Sequence, residues 1–199
     1  MPGTTFPERL RHYATDIGSG DWRVFPSPGL IKQQISGNVV ATANNNSGSK
    51  TGIVPFELPS GFAGVAELEA TIACGSNDAA GTGIELGFTS NADELPSPFG
   101  SAGTLRLVHS CGNTLYLYGP GGLLLGSQNP PGYFGEPRDL RLRFDAAAGT
   151  VQVWLNGNAM TGLSATLSSQ PTVAAAGFQI DSGDPGEVWV DDFKVTYSP

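Results

Sequence analysis

Apolar and polar side chains alternate along "DLRLRFDAAAGTVQVWLNGNAM", Asp139 to Met160. Leu140, Leu142 and Phe144 share one side, and Arg141 and Arg143 the other. After "DAAAGT", Val151, Val153 and Leu155 share one side while Gln152, Trp154 and Asn156 share the opposite one. A period of two makes one face of a strand apolar and leaves the other polar. The stretch therefore predicts two strands joined by a turn, with "NGN" supplying the next turn.

The same alternation recurs upstream. In "AELEATIAC", Leu68, Ala70, Ile72 and Cys74 oppose Glu67, Glu69, Thr71 and Ala73. "GIELGFTS" puts Ile84, Leu86 and Phe88 inward; "TLRLVHSC" puts Leu105, Leu107, His109 and Cys111 on one face. "NTLYLYG" sets Leu115 and Leu117 against Tyr116 and Tyr118, with "CGN" as a tight turn before it. Pro55 inside "TGIVPFEL" predicts an edge strand or a bulge. "GPGGLLLG" reads as a loop-rich insert, lacking the Lys and the helix of a phosphate loop. In "EVWVDDFKVTY", Val188 and Val190 fall on one parity and Phe193 and Val195 on the other, so a bulge at Asp191–Asp192 is expected. Roughly a dozen such segments, with turn signals between them, suit a β-sandwich or barrel. The expected division is an N-terminal arm or short helix over 1–21 and a single domain over 22–199.

Composition agrees. The chain of 199 residues has 28 Gly and 15 Pro, which favour many turns over long helices. Its net charge of −8 repels a phosphate backbone, which argues against a nucleic-acid partner and leaves neutral sugars or divalent cations open. No apolar run is long enough to span a membrane, and "MPGTTFPERLRHYATDIGSGDW" has no apolar signal region. This fits either a mature fragment with an added start Met or a protein assembled in a cytoplasm, as virion proteins are. Cys74 and Cys111 match no zinc spacing; two buried thiols is the simpler reading, one disulfide the alternative.

"LRLRFD", "VQVWLNG", "AGFQI" and the terminal "VWVDDFKVTY" together resemble the concanavalin A-like, laminin G-like jelly roll. The resemblance implies an all-β fold, a two-sheet antiparallel jelly-roll sandwich. That architecture carries lectins, adhesion modules, glycanases, lyases and viral surface proteins alike. Glycanases of this fold resemble one another in an E-x-D-x-x-E strand. Here Glu67 and Glu69 share a face, but Thr71 follows and no third acid does, so a solvated strand face is the simpler reading. Arg106 and His109 sit on opposite parities, unlike the lyase pattern. His12 is expected to be exposed and His109 to be a hydrogen-bonded core residue.

What remains is recognition. Trp154, Asn156, Tyr116 and Tyr118 point outward, where rings can stack on sugars and amides can bond hydroxyls. The resemblance makes Ca2+ a candidate cofactor. Asp181, Asp184 and Glu187 in "DSGDPGE" are the candidate ligands; Asp78, Asp93 and Glu94 lie in other acidic turns. The expected function is a non-catalytic surface module that recognises a glycan or a protein partner, outside the cell or on a virion surface. The alternatives are a phage head decoration or tail protein that assembles through its N-terminal arm, and a glycoside hydrolase using Glu67 and Glu69.

Overall fold

The computed structural model describes residues 23–26, 31–32, 41–43, 49–58, 60–74, 83–90, 105–131, 137–182 and 188–198. The expected N-terminal arm, His12, and the turns carrying Asp78, Asp93 and Glu94 lie outside them.

Fifteen strands are described: β1 (Arg23–Pro26), β2 (Ile31–Lys32), β3 (Ala41–Ala43), β4 (Ser49–Glu57), β5 (Val65–Cys74), β6 (Gly83–Thr89), β7 (Leu105–Ser110), β8 (Thr114–Tyr118), β9 (Leu124–Gln128), β10 (Arg138–Asp145), β11 (Thr150–Leu155), β12 (Asn158–Ala159), β13 (Ala165–Thr166), β14 (Ala175–Ser182) and β15 (Val188–Ser198). The helical content described is two single 3-10 turns, Pro120–Gly122 and Thr161–Leu163.

The strands form two antiparallel sheets. The first runs β1-β4-β14-β6-β7-β8-β9; the second runs β12-β11-β10-β5-β15-β3-β2, with β13 against β11. This is the expected jelly-roll sandwich. Its core is the set of residues the alternation pointed inward. Leu68, Ile72, Leu142, Phe144 and Val153 from the second sheet meet Ile84, Leu86, Phe88, Leu107 and Leu117 from the first, all buried. Phe88 on β6 packs on Phe144 of β10, and Phe178 on β14 packs on Phe193 of β15, at centroid distances of 6.1 and 5.1 Å. Each buried ring or leucine contributes about 1.5–3 kcal/mol through removal of apolar surface from water.

Turn chemistry sets the registers. Leu155 pairs with Asn158, so Asn156 and Gly157 alone form the loop, at φ 49° and 76°. Two consecutive positive φ values define the hairpin turn that Asn-Gly favours. Asn113 (φ 65°) closes the three-residue loop between β7 and β8. The register of β15 on β5 shifts between Asp191 and Lys194, and Phe193 is buried with Val190, so the bulge restores one inward face. Pro55 sits where β4 and β14 slip register, between Ala176 and Phe178; β4 is an inner strand, so the bulge and not the edge explains the proline.

Two expectations are corrected. The insert read as a loop contains β9, whose apolar run "LLL" gives a strand at the edge of the first sheet. Cys111 is disulfide-bonded, and the chain holds one other cysteine, so the reading of two free thiols fails.

Candidate functional site

The outward side chains of the second sheet stand in cross-strand rows. Lys194 on β15 pairs with Glu69 on β5, Glu69 with Arg141 on β10, Arg141 with Trp154 on β11, and Trp154 with Ala159 on β12. That single row is cation, carboxylate, guanidinium, indole and a small residue. Lys194 Nζ lies 3.4 Å from Glu69 Oε2, and the Arg141 guanidinium carbon lies 3.8 Å from the Trp154 ring centre. One row over, Arg143 pairs with Glu67 and with Gln152. Glu67 serves both arginines, at 3.4 Å to Arg141 Nε and 3.6 Å to Arg143 Nε.

On the other flank the row runs from Asp191 on β15 through Thr71 on β5 to Asp139 on β10. Thr71 pairs with Asp139 and donates its hydroxyl hydrogen to Asp139 Oδ1 at 2.7 Å. The backbone N–H of Asp139 donates to Asn156 Oδ1 at 2.8 Å, and the Asn156 N–H donates to the Asp139 carbonyl at 2.8 Å. The Asn-Gly turn is thereby stapled to the start of β10. The tall row and this turn stand on either side of the short Thr71–Asp139 pair, leaving a pocket of about 470 Å³. Glu69, Thr71, Asp139, Arg141, Trp154 and Gly157 line it. Its floor is Ala70 and Leu140, which turn their side chains into the core. The volume lies in the range of small-ligand sites. Chemically it offers one ring, one hydroxyl, two carboxylates and one guanidinium, a mixture that can stack on an apolar face and exchange hydrogen bonds with polar groups.

The first sheet carries a different cluster. Glu85 on β6 is buried, and its Oε2 accepts a hydrogen bond from Arg106 Nη1 at 2.8 Å. Arg106 pairs with Tyr118 and its guanidinium carbon lies 4.7 Å from that ring's centre. Tyr116 and Tyr118 lie 6.2 Å apart, 29° from parallel. Their outward neighbours on β6 and β14, Glu85, Thr89 and Gln179, are all buried.

The four outward recognition candidates fall on different sheets. Trp154 and Asn156 belong to the second sheet, Tyr116 and Tyr118 to the first. Parity alone says outward; it does not say on which layer. Trp154 lines the pocket, but the Asn156 side-chain Oδ1 accepts from the Asp139 backbone N–H and serves the turn. Of the two acids considered for hydrolysis, Glu69 lines the pocket and Glu67 is held by two arginines. Asp139, Thr71 and Arg141 were not singled out from the sequence. Their signal is the register of β5 on β10, which joins residues 68 apart in the chain.

His109 lies inside the sandwich, opposite in parity to Arg106, as its strand pattern predicts. Its Nε2 lies 3.4 Å from Nη1 of Arg138, also buried. Burial foremost, and then the Arg138 charge, push its pKa from 6.5 down to about 4, so the ring is neutral and accepts from the guanidinium. Asp181 is the penultimate residue of β14, but its side chain, and all of Asp184 and Glu187, fall outside the described residues. Among the described residues no three His, Cys, Asp or Glu side chains form a metal-binding group.

No family model and no curated protein matches the chain. Solved structures do. The chain is similar to the carbohydrate recognition domain of Emp46p in its potassium-bound form, with a TM-score of 0.65, 10% identity and 87% of each chain covered. It is similar to peanut lectin, with a TM-score of 0.65, 11% identity, and 92% of this chain and 94% of that one covered. A third likeness is to the exoplasmic/lumenal domain of VIP36 bound to Ca2+ and Man3GlcNAc, with a TM-score of 0.65, 13% identity, and 88% and 83% covered. The fold is that of the concanavalin A-like lectins. Identities this low carry the architecture and leave the ligand to be argued from this chain's own residues.

Proposed function

We propose that this protein is a non-catalytic glycan-recognition module whose ligand sits in the pocket beside Trp154. The observation that carries the reading is the pocket itself, where an indole adjoins a hydroxyl, two carboxylates and a guanidinium on a rigid sheet face. Such a mixture suits a pyranose, which has an apolar face and a rim of hydroxyls. The likeness to carbohydrate recognition domains supports the reading at the level of architecture. The likenesses reported above give no support to the virion or hydrolase readings. The Cys111 disulfide supports an oxidising compartment, hence an extracellular or lumenal setting. None of the described helical segments is long and apolar enough to cross a membrane. Calcium at Asp181, Asp184 and Glu187 stays part of the proposal, and no contact in the pocket depends on it.

A glycan array probed with the whole chain tests the reading. The expected result is a coherent set of bound glycans that Trp154→Ala abolishes. An array without hits would contradict it.

A further inference from the structure

The hydrogen-bonding groups of the pocket say more about its ligand, given the glycan-binding reading on which this step rests. Stacking on Trp154 uses the flat face of the Arg141 guanidinium and leaves its N–H edge for other partners. The chain itself does not fill that edge. Nε lies 3.4 Å from Glu67 without making a hydrogen bond, and Glu67 is shared with Arg143 at 3.6 Å. Neither Nη of Arg141 makes a hydrogen bond among the described residues. Two positions along the same strand, Asp139 stands on the same face and lines the same pocket. Its Oδ1 accepts from the Thr71 hydroxyl at 2.7 Å, and its Oδ2 takes no hydrogen bond among the described residues. The two side chains form no ion pair with each other: contacts draw Arg141 toward Glu67 and Trp154, and Asp139 toward Thr71. One space is thus flanked by a charged donor and a charged acceptor.

We infer that Arg141 and Asp139 together bind two adjacent hydroxyls, so that the ligand class of this pocket is a neutral sugar with a vicinal diol. A group seated between them must accept from the guanidinium and donate to the carboxylate. A hydroxyl does both, whereas a carboxylate or sulfate only accepts and an ammonium only donates. Residues two apart on a strand are separated by roughly 6.5 Å at Cα, more than one hydroxyl bridges with a bond of roughly 2.8 Å on either side. Two neighbouring hydroxyls span it, one accepting from Arg141 and the other donating to Asp139. Because each protein partner is charged, each bond is stronger than one between neutral groups.

The experiment titrates the whole chain, by NMR chemical shift, with the methyl pyranosides of glucose, galactose and mannose and with their monodeoxy analogues. Wild type is expected to lose about tenfold in affinity at each of two adjacent ring positions of the sugar it prefers. Arg141→Met keeps a stem over Trp154 and removes the donors, so it should bind the parent sugar and one of those two deoxy analogues equally. Asp139→Asn keeps an oxygen for Thr71 and sets an amide where Oδ2 stood, so it should cancel the penalty at the neighbouring position. Arg143→Met removes the other partner of Glu67 one row away from the pocket and should leave affinity unchanged. Deoxy penalties that persist in Arg141→Met and Asp139→Asn, an equal loss in Arg143→Met, or binding confined to uronate or sulfated sugars would overturn this inference while leaving glycan recognition standing. Failure to bind any sugar would overturn both.

Discussion

The guanidinium of Arg141 covers one face of the Trp154 indole at 3.8 Å, so the ring that the sequence leaves open to a ligand is half spoken for. A planar cation on a ring face holds both side chains in place at small entropic cost, because the arginine fork is rigid. Arg141→Lys keeps the charge beside Glu67 and loses the flat contact. Urea denaturation of Arg141→Ala, Trp154→Ala and the double variant should give a coupling of about 0.5–1 kcal/mol. A coupling near zero would mean the stack contributes nothing in solution.

Glu85 and Arg106 form the opposite kind of pair. Their 2.8 Å contact leaves the carboxylate only 8% exposed, so removing the cation strands a buried charge. Arg106→Ala is expected to cost about 3–5 kcal/mol in equilibrium unfolding, whereas Glu85→Gln together with Arg106→Met should recover most of that loss. Equal losses in the single and the double variants would contradict this account.

Acid should act through His109. Its folded pKa of about 4 lies below the unfolded value of 6.5, so between those limits the unfolded chain binds a proton that the folded chain does not. Stability is then highest above the unfolded pKa and falls as pH drops toward the folded one, by about 3 kcal/mol in all. Unfolding free energies measured from pH 7 to pH 4 should show this decline. His109→Gln keeps an acceptor for Arg138 and should flatten the curve in that window.

The disulfide of Cys111 closes a loop of roughly 40 residues, for which chain entropy gives about 4 kcal/mol of stabilisation. Thermal unfolding with and without reductant should differ accordingly. An unchanged midpoint would show that the crosslink is energetically idle.

The fold was readable because its signal is local. Alternation in Leu140–Phe144 and Val151–Leu155 names inward residues without any knowledge of partners, and Asn156–Gly157 names its own turn. The bulge between Asp191 and Lys194 was legible for the same reason, as a change of parity within one strand. The site was only half readable. Trp154 announces itself as an outward aromatic, but Thr71 and Asp139 meet across 68 residues, and no local pattern encodes that register. Layer membership is equally non-local: outward parity does not say that Tyr116 and Tyr118 lie on the sheet opposite to Trp154. The strand β9 was obscured by the glycines of "GPGGLLLGS", which read as a loop although "LLGSQ" pairs with β8.

The most direct measurement is titration calorimetry of the strongest array glycan against wild type, Trp154→Ala and Tyr118→Ala. Binding beside the indole predicts that Trp154→Ala weakens affinity at least roughly tenfold while Tyr118→Ala matches wild type. Full affinity in Trp154→Ala, or a loss confined to Tyr118→Ala, would move the ligand off the second sheet and contradict the account.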